Sequence, residues 1–187
     1  MQRTRRYGSP LGGILLAGDE IGLTGLWFDG QKHFAHGLDP DHREGDLPAL
    51  EQAAMWLDAY FAGRAPDFTP PLRTIGTEFQ REVWRLLLQI PYGETTTYGE
   101  LARKVAARRG LKSMSAQAVG GAVRHNEISI IIPCHRVIGT NGSLTGYAGG
   151  IDKKMKLLEL EGVDMSRYFI PIPKGRTALT GKEGQAP

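Results

Sequence analysis

Residues 128–139 read Ile-Ser-Ile-Ile-Ile-Pro-Cys-His-Arg-Val-Ile-Gly, and they decide how the second half of the chain is interpreted. The β-branched run at 128–132 predicts a buried strand, because branched apolar side chains pack well inside a sheet. Pro133 then restricts the backbone, so Cys134 is expected to be held rigidly. Cys134 is the single cysteine of 187 residues, which excludes an internal disulfide and a multi-cysteine zinc site. A lone cysteine is most often a small buried hydrophobe, so its neighbours must argue for any chemistry.

The residues near Cys134 offer a route for its proton. The thiolate is the nucleophilic form, and a thiol with the usual pKa of roughly 8.5 is mostly protonated at neutral pH. His135 is adjacent in sequence, and adjacent side chains point in different directions, so it is expected to act through a water. Glu161 follows Leu157 and Leu158 at helical spacing, which indicates an inward position. Either Glu161 orients His135 in a Cys–water–His–Glu relay, or it is a solvated carboxylate at a helix end.

The first part of the chain predicts a small sheet-and-helix domain. Apolar runs at 13–17 and 23–28, separated by turn residues, indicate a β-hairpin. Leu50, Ala54, Leu57 and Phe61 repeat at helical spacing, and Gly63 is expected to end that helix. The histidines of the polar stretch between hairpin and helix are interpreted as solvated, with no metal site. The proline-rich segment 65–71 indicates a linker, so residues 1–72 are predicted to form a structural domain and linker.

The second part predicts a mostly helical domain over residues 73–165, followed by a tail at 166–187. Capping-box pairs, Thr77 with Gln80 and Thr97 with Glu100, indicate two helix starts. A basic segment and a further helix over 115–124 complete a helix-turn-helix pattern. The last helix is predicted over 152–161. The fold class is therefore α+β, with a winged-helix-like second domain that carries the thiol.

Composition narrows the function classes. Apolar residues make up 41% and charged residues 23%, which is ordinary for a globular protein. The net charge of +3 and the pI of about 9.1 are compatible with a polyanionic partner. The apolar run near the N-terminus is about five residues, shorter than the roughly 7–15 of a signal peptide, and no run suits a membrane span. A cytoplasmic protein without a membrane partner is expected.

The motif around Cys134 resembles the signature of the 6-O-alkylguanine-DNA alkyltransferases, also called methylated-DNA–protein-cysteine methyltransferases. Further motifs of the same family follow in its order over about residues 76–165, and residues 8–28 resemble its N-terminal domain more loosely. These motifs are Phe79–Trp84, Ile90–Thr95, Tyr98–Ala102, Ala118–Ala122, Asn126, Gly142–Gly150 and Leu157–Gly162. An ordered set of motifs is a more specific signal than Pro-Cys-His-Arg alone.

The resemblance implies a reaction and roles for the site residues. The family transfers the alkyl group of 6-O-methylguanine, and of 4-O-methylthymine, from double-stranded DNA to its own cysteine, once per molecule and without a cofactor. Cys134 would accept the alkyl group, and His135, backed by Glu161, would deprotonate it through a water. Asn126 would brace the turn before the active-site strand, and Tyr98 would help to rotate the nucleotide and protonate the leaving guanine. The base pocket would be lined by Val137, Tyr147 and Ala148.

DNA contact is expected from the helix at 115–124. Its small residues let a backbone approach DNA closely, although they also suit tight helix packing. The contacting residues would be Gln117, Ala118, Gly121 and Arg124. The family usually has arginine where this chain has Gln117, which predicts retained activity with weaker DNA binding. The segment after Tyr98 is longer than usual and basic, and some of its cationic residues are hypothesised to contact phosphates, the alternative being a solvated basic loop. These residues are Arg103, Lys104, Arg108, Arg109 and Lys112.

Three other function classes remain open at this point. A non-catalytic binder of alkylated DNA resembles the family but lacks the acceptor cysteine, so Cys134 argues against it. A cysteine hydrolase needs a distant histidine and an oxyanion hole, which nothing in the sequence indicates. A helix-turn-helix regulator needs no thiol chemistry. The expected protein is an alkyltransferase that acts as a monomer on double-stranded DNA containing alkylated guanine.

Overall fold

A four-stranded sheet forms the first part of the molecule, and the computed structural model describes residues 1–171 of the chain. Its strands are β1 (Arg3–Ser9), β2 (Gly12–Gly18), β3 (Leu23–Phe28) and β4 (Arg43–Glu44). The order across the sheet is β3-β2-β1-β4, with β1, β2 and β3 antiparallel and β4 parallel to β1. The predicted hairpin is confirmed as β2 and β3.

Strand β1 was not predicted, because its sequence lacks an apolar alternation. Arg3 and Arg5 are surface side chains there, while Thr4 is buried between them. The strand is held by its full ladder with β2, from Arg3 opposite Gly18 to Ser9 opposite Gly12. Backbone hydrogen bonds to β2 therefore hold this segment as a strand, although its charged sequence does not predict one.

The helix predicted after the sheet is confirmed as α1 (Pro48–Phe61). A proline at its start suits the first turn, where the missing N–H has no helical partner. Gly63 follows its end with a φ of +74°, the left-handed conformation that a glycine adopts without strain. One face of the helix packs on the sheet and carries Leu50, Leu57 and Tyr60 into the core.

The linker lies along the edge of the first sheet. Leu23 N–H donates to the carbonyl of Pro71 at 2.7 Å, and Arg73 N–H donates to the carbonyl of Leu23 at 2.8 Å. Arg73 also forms an ion pair with Asp19, which lies at the turn between β2 and β3. These backbone hydrogen bonds and the ion pair hold the end of the predicted linker against β3.

The second part is helical with one short parallel ladder. Its elements are α2 (Glu78–Leu87), β5 (Thr96–Thr97), α3 (Tyr98–Arg108), α4 (Ala116–Arg124), β6 (Val137–Ile138) and α5 (Ile151–Leu160). Both predicted capping boxes are present at the starts of α2 and α3. Helices α3 and α4 pack on each other and form the predicted helix-turn-helix, and β5 pairs with β6. The α+β class is confirmed.

The strand predicted over residues 128–132 is wrong. Only Ile128 makes an isolated bridge, to Leu26, and the backbone then turns, with Ile130 at a φ of +66°. The Asn126 side chain accepts a hydrogen bond from Ile128 N–H, and its amide nitrogen lies 2.9 Å from the carbonyl oxygen of Ile132 and 3.2 Å from that of Ile128. A side chain therefore satisfies backbone groups that a neighbouring strand would otherwise pair. The run is buried, as expected for its composition, but it is not extended.

One hydrophobic core joins the two parts. It contains Leu26 and Leu57 from the first part together with Trp84, Leu101 and Ile132 from the second. The division into residues 1–72 and 73–165 stays a prediction, since the core continues across it.

The predicted tail begins with a segment that packs on the second part of the chain. Leu144 N–H donates to the carbonyl of Phe169 at 2.8 Å, and Met165–Arg167 form a 3-10 turn. Residues 172–187, where a loose tail was expected, lie outside the described residues. Over residues 1–171, none of the helices combines the length and the apolar character that crossing a bilayer requires.

Candidate active site

Two consecutive tight turns present Cys134. Pro133 has φ −80° and ψ 62°, and Cys134 N–H donates to the carbonyl of Ile132 at 2.8 Å, which is the geometry of an inverse γ-turn. One turn earlier, Ile131 N–H donates to the carbonyl of Ser129 across Ile130, whose positive φ is rare for a β-branched residue. Such a conformation costs about 1–3 kcal/mol and persists where the surroundings impose it. The thiol is therefore positioned by a strained, buried backbone rather than by a strand.

The sulfur of Cys134 lies in a closed and partly polar setting. Its side chain is buried, and Asn126 Nδ2 donates to Sγ at 3.2 Å. Burial raises the pKa of the Cys134 thiol, while the Asn126 hydrogen bond and the charge of Lys154 act in the opposite direction. Thiolate formation therefore depends on the Asn126 hydrogen bond, on the Lys154 charge and on a base that takes the proton.

His135, the residue that follows Cys134, forms a buried pair with Glu161. His135 Nε2 lies 2.6 Å from Glu161 Oε1, and both side chains have no exposed surface. Burial lowers the pKa of His135, and the Glu161 carboxylate acts against that shift. With the Nε2 proton on the carboxylate side, Nδ1 is the acceptor nitrogen, and it has no hydrogen-bond partner within residues 1–171. The imidazole is thus neutral and able to take a proton on Nδ1.

The carboxylate of Glu161 is held by several donors at the C-terminal end of α5. Arg136 donates to both oxygens, with Nε to Oε2 at 2.8 Å and Nη2 to Oε1 at 3.1 Å, and Gly93 N–H donates to Oε2 at 3.2 Å. Burial alone raises the pKa of Glu161. The hydrogen bonds of His135 and Arg136, the guanidinium charge and the positive charge that His135 gains in acid outweigh it and lower the pKa to about 2. Glu161 is therefore an ionised inward carboxylate, and the solvated helix-end alternative is wrong.

Three further residues contact this site, and the sequence motifs predict no role for them. Arg136 binds Glu161 and also the carbonyl of Ile90 at 2.7 Å. Tyr60 donates to Glu161 Oε1 at 2.7 Å from helix α1. Lys154 is fully buried and donates to the carbonyls of Val137 at 2.5 Å and Thr145 at 2.9 Å. Only Arg136 carried a signal, since it follows His135 directly, whereas the other two depend on tertiary packing.

Tyr98 lies at the start of α3, on the wall of an open pocket of about 330 Å³. Its hydroxyl donates to the carbonyl of Thr145 at 3.3 Å. Gly146 has a φ of +71°, and a Cβ there would lie 2.9 Å from the Tyr98 hydroxyl, so glycine keeps this side of the pocket clear. Burial, together with the nearby Cys134, raises the pKa of Tyr98 to about 12, which keeps the phenol protonated.

The four residues expected to contact DNA share the outer side of α4. Gln117, Ala118 and Arg124 are exposed and Gly121 is half-buried, while Val119 and Val123 of the same helix are in the core. Gln117 and Arg124 also line the pocket of Tyr98. The helix therefore presents its small and polar residues next to the opening that leads toward Tyr98.

The residues expected to line a base pocket do not all face the same space. Val137 is fully buried on β6, and the ring of Tyr147 lies 6.3 Å from that of His135, between centroids. The Tyr147 hydroxyl is buried with no partner within residues 1–171. Ala148 lines a separate cavity of about 70 Å³ with His33 and His125. Their roles toward a base stay predictions.

The basic residues at the C-terminal end of α3 pack against α2 and the residues that follow it. Arg109 Nε lies 2.6 Å from Glu82 Oε2, and its guanidinium is 5.2 Å from the centre of the Phe79 ring. Arg108 Nη2 lies 3.4 Å from Gln89 Oε1. Arg109 is therefore engaged within the protein, which weakens the hypothesis that it restores the charge absent at Gln117.

Two family models match the chain. The model described as the DNA binding domain of 6-O-methylguanine DNA methyltransferase covers residues 78–163, and that of its ribonuclease-like domain covers residues 3–74. The first match contains the Cys134, His135 and Glu161 cluster together with α3 and α4. The second contains the sheet and α1.

Individual relatives extend over most of this chain. The methylated-DNA–protein-cysteine methyltransferase of Methanosarcina acetivorans is 48% identical over 83% of this chain and 96% of the relative, and that of Mycobacterium leprae is 47% identical over 86% and 93%. The crystal structure of Mycobacterium tuberculosis O6-methylguanine methyltransferase has a TM-score of 0.73 at 45% identity, over 86% of this chain and 93% of the other. The structure of Mycobacterium tuberculosis OGT in complex with DNA has a TM-score of 0.72 at 46% identity, over 89% and 94%. The chain therefore belongs to the 6-O-methylguanine DNA methyltransferase family.

Proposed function

We propose that this protein repairs alkylated DNA by transferring the alkyl group of 6-O-methylguanine to the sulfur of Cys134. The observation that carries the proposal is the buried cluster in which Asn126 donates to Sγ while the His135–Glu161 pair lies beside it. A nucleophile needs both a stabilised anion and a base, and this cluster supplies the two together. Family membership and the DNA complex of a similar protein support the assignment.

In the proposed reaction the thiol proton moves to His135 Nδ1 through a water. The thiolate attacks the methyl carbon, so a sulfur–carbon bond forms as the bond from that carbon to the guanine oxygen breaks. The electron pair of the broken bond returns to the guanine, which takes a proton from Tyr98. Tyr98 then regains a proton through solvent, and His135 releases to solvent the proton that it took from the thiol. Because Glu161 is ionised, it stabilises the imidazolium that forms in the first step.

The lesion must leave the duplex before it can react. The methylated oxygen lies within the base pair, so the nucleotide is flipped out, at a cost of a few kcal/mol that a damaged pair reduces. Helix α4 approaches the DNA with Gln117, Ala118, Gly121 and Arg124. Val137, Tyr147 and Ala148 line the base once it is bound, and Ala148 also borders the separate cavity of His33 and His125. The pocket bounded by Tyr98, Thr145 and Gly146 lies on the path of the rotating nucleotide.

The product is a thioether, which is a stable end state. No second thiol exists in the chain to displace the methyl group, so each molecule acts once. The protein works as a monomer, and its free thiol suits the reducing cytoplasm. The site takes 4-O-methylthymine as well, since that lesion presents the same methyl–oxygen bond.

Transfer of a radiolabelled methyl group tests this proposal. Duplexes with labelled 6-O-methylguanine, labelled 4-O-methylthymine or a labelled methyl on a site that the family does not repair are incubated with the protein. Label bound to wild-type protein from the first two duplexes, and absent with Cys134→Ala, supports the proposal. Label that is released into solution, or that reaches Cys134→Ala equally, contradicts it.

A further inference from the structure

Tyr60 reaches from the first part of the chain into the proton relay. It lies on α1, its side chain is fully buried, and its hydroxyl donates to Glu161 Oε1 at 2.7 Å. The same hydroxyl lies 3.4 Å from His135 Nε2. Glu161 Oε1 therefore receives Tyr60 from the first part of the chain and both His135 and Arg136 Nη2 from the second.

The position of the Tyr60 ring is fixed on several sides. It stacks on Trp56 with centroids 5.2 Å apart, meets Tyr92 edge-on at 5.9 Å and Phe61 edge-on at 5.4 Å. Burial, and then the neighbouring carboxylate of Glu161, raises the pKa of Tyr60 well above its ordinary value. The phenol is thus always protonated in the working range, and it donates to the carboxylate rather than accepting from it.

When a carboxylate oxygen accepts two hydrogen bonds, each donor reduces the strength with which the oxygen accepts the other. Hydrogen bonding to the charged form stabilises it and lowers its affinity for a proton. Each donor to Oε1 therefore weakens the pull of Glu161 on the Nε2 proton of His135. A weaker pull leaves the imidazole less basic at Nδ1, where the proposed reaction delivers the thiol proton.

We propose that Tyr60 is a positioning residue of the reaction, which sets the basicity of His135 through its hydrogen bond to Glu161 Oε1. This inference rests on the proposed function, because it assumes that His135 takes the proton of Cys134. The first part of the chain then tunes the chemistry of the second, beyond supporting it. Tyr60 does not touch the reacting atoms and acts only through Glu161.

The pH dependence of methyl transfer reports this role. Transfer falls at low pH as His135 becomes protonated, so the acid side of the rate profile follows the basicity of His135. The other titratable or charged groups around His135 and Glu161 are Cys134, Arg136, Tyr92, Tyr147 and Lys154. All of these are unchanged when only the Tyr60 hydroxyl is altered.

Two opposite changes at Tyr60 give opposite predictions. Tyr60→Phe removes the donor, so the acid side of the single-turnover rate profile should shift to higher pH by about half a unit. At a fixed pH on that side, the rate of transfer should then be about threefold lower than in the wild type. Replacement of Tyr60 by 3-fluorotyrosine keeps the hydroxyl and makes it a stronger donor. The acid side of the profile should then shift to lower pH. A role in packing alone cannot reverse the direction of the shift.

Tyr7→Phe is the matched control, since its hydroxyl donates to Asp58 on the outer side of the same helix. Its profile should coincide with that of the wild type. Profiles for Tyr60→Phe and the fluorinated protein that coincide with wild type, or that only drop uniformly, overturn the inference. Should Tyr60→Phe not fold, the fluorinated protein alone decides, because it retains the ring and the hydroxyl.

Glu161→Gln separates failure of this inference from failure of the proposed relay. If Glu161→Gln transfers methyl groups as fast as wild type over the whole pH range, the relay itself is wrong and the Tyr60 inference falls with it. If Glu161→Gln is impaired although its circular dichroism spectrum shows that it is folded, while both changes at Tyr60 leave the profile in place, only the Tyr60 inference is wrong.

Discussion

Asn126 donates its side-chain N–H to the sulfur of Cys134 at 3.2 Å, across eight residues of sequence. The same nitrogen also lies within hydrogen-bond distance of the carbonyls of Ile128 and Ile132, and Asn126 Oδ1 accepts from Ile128 N–H. One amide group thus shapes the turn that carries the cysteine and contacts its sulfur. Asn126 therefore fixes the backbone conformation before Cys134 and also stabilises negative charge on its sulfur.

Asn126→Ala should therefore lose both functions. Loss of an N–H donor to a developing anion lowers a reaction rate on the order of 100-fold, and the unpaired backbone groups cost about 1–3 kcal/mol of unfolding free energy. Single-turnover transfer and chemical denaturation measure the two effects. Asn141→Ala removes an exposed turn asparagine that caps Ser143 and is the matched control. A transfer rate for Asn126→Ala close to that of the control would contradict the role of Asn126 at the sulfur.

Glu161 makes stability depend on acid pH. Its pKa is lowered from 4.5 to about 2, so the folded state gains stability that is fully present above pH 4.5. That stability, roughly 3 kcal/mol, should be lost as the pH falls from 4.5 toward 2. Denaturation of wild type and Glu161→Gln across this range checks the sign: the stability difference between them should shrink as the pH falls. A difference that stays constant would show that Glu161 is not held ionised by His135 and Arg136.

Glu161→Gln should also destabilise the protein at neutral pH. The substitution leaves the buried guanidinium of Arg136 without its carboxylate, and breaking a buried pair in this way costs about 3–5 kcal/mol. Thermal or chemical unfolding at pH 7 measures the loss. Glu159→Gln changes an exposed carboxylate two residues earlier on α5 and should leave stability near that of the wild type. Equal stability of the two variants would contradict the buried ion pair.

Gln117→Arg should strengthen binding to duplex DNA. Gln117 is exposed on α4 and lines the pocket of Tyr98, so an arginine there adds a positive charge where the DNA is expected. The affinity should rise, and most clearly at low salt. Met55→Arg adds the same charge on the exposed side of α1 and is the control. Lower affinity for Gln117→Arg, or equal gains for both variants, would contradict the placement of Gln117 at the DNA.

Arg124 and Arg109 should differ in their effect on salt dependence. Arg124 is exposed on α4, whereas Arg109 is paired with Glu82 on α2. Arg124→Ala should reduce the slope of log affinity against log salt by about 0.9, the contribution of one phosphate contact, and Arg109→Ala should leave it unchanged. Binding titrations at several salt concentrations decide this. A reduced slope for Arg109→Ala would restore the hypothesis that the basic segment contacts phosphates.

The sequence predicted well those elements whose signals are local. The capping boxes at Thr77 and Thr97 place the starts of α2 and α3, because their side chains bond the backbone three residues away. The hairpin and α1 follow from periodicity and turn residues. The motif Pro-Cys-His-Arg predicted Cys134 and His135 as site residues, and the inward helical position of Glu161 predicted that it would orient His135.

What the sequence did not reveal depends on contacts distant along the chain. The run at 128–132 has the composition of a strand, but Asn126 captures its backbone groups and turns it. Tyr60 lies 101 residues before Glu161 and shows no pattern of its own beyond a core position in a helix. Lys154 reads as one of several helix lysines, although it is buried and bound to two carbonyls.

The most direct test of the central claim is the intact mass of the protein after incubation with a duplex that contains one 6-O-methylguanine. A gain of about 14 Da, mapped to Cys134 and saturating at one methyl group per protein molecule, is the predicted result. The Cys134→Ala protein should gain nothing. A gain on another residue, continued turnover beyond one equivalent, or binding to the lesion without any gain would contradict the claim that Cys134 is a single-use methyl acceptor.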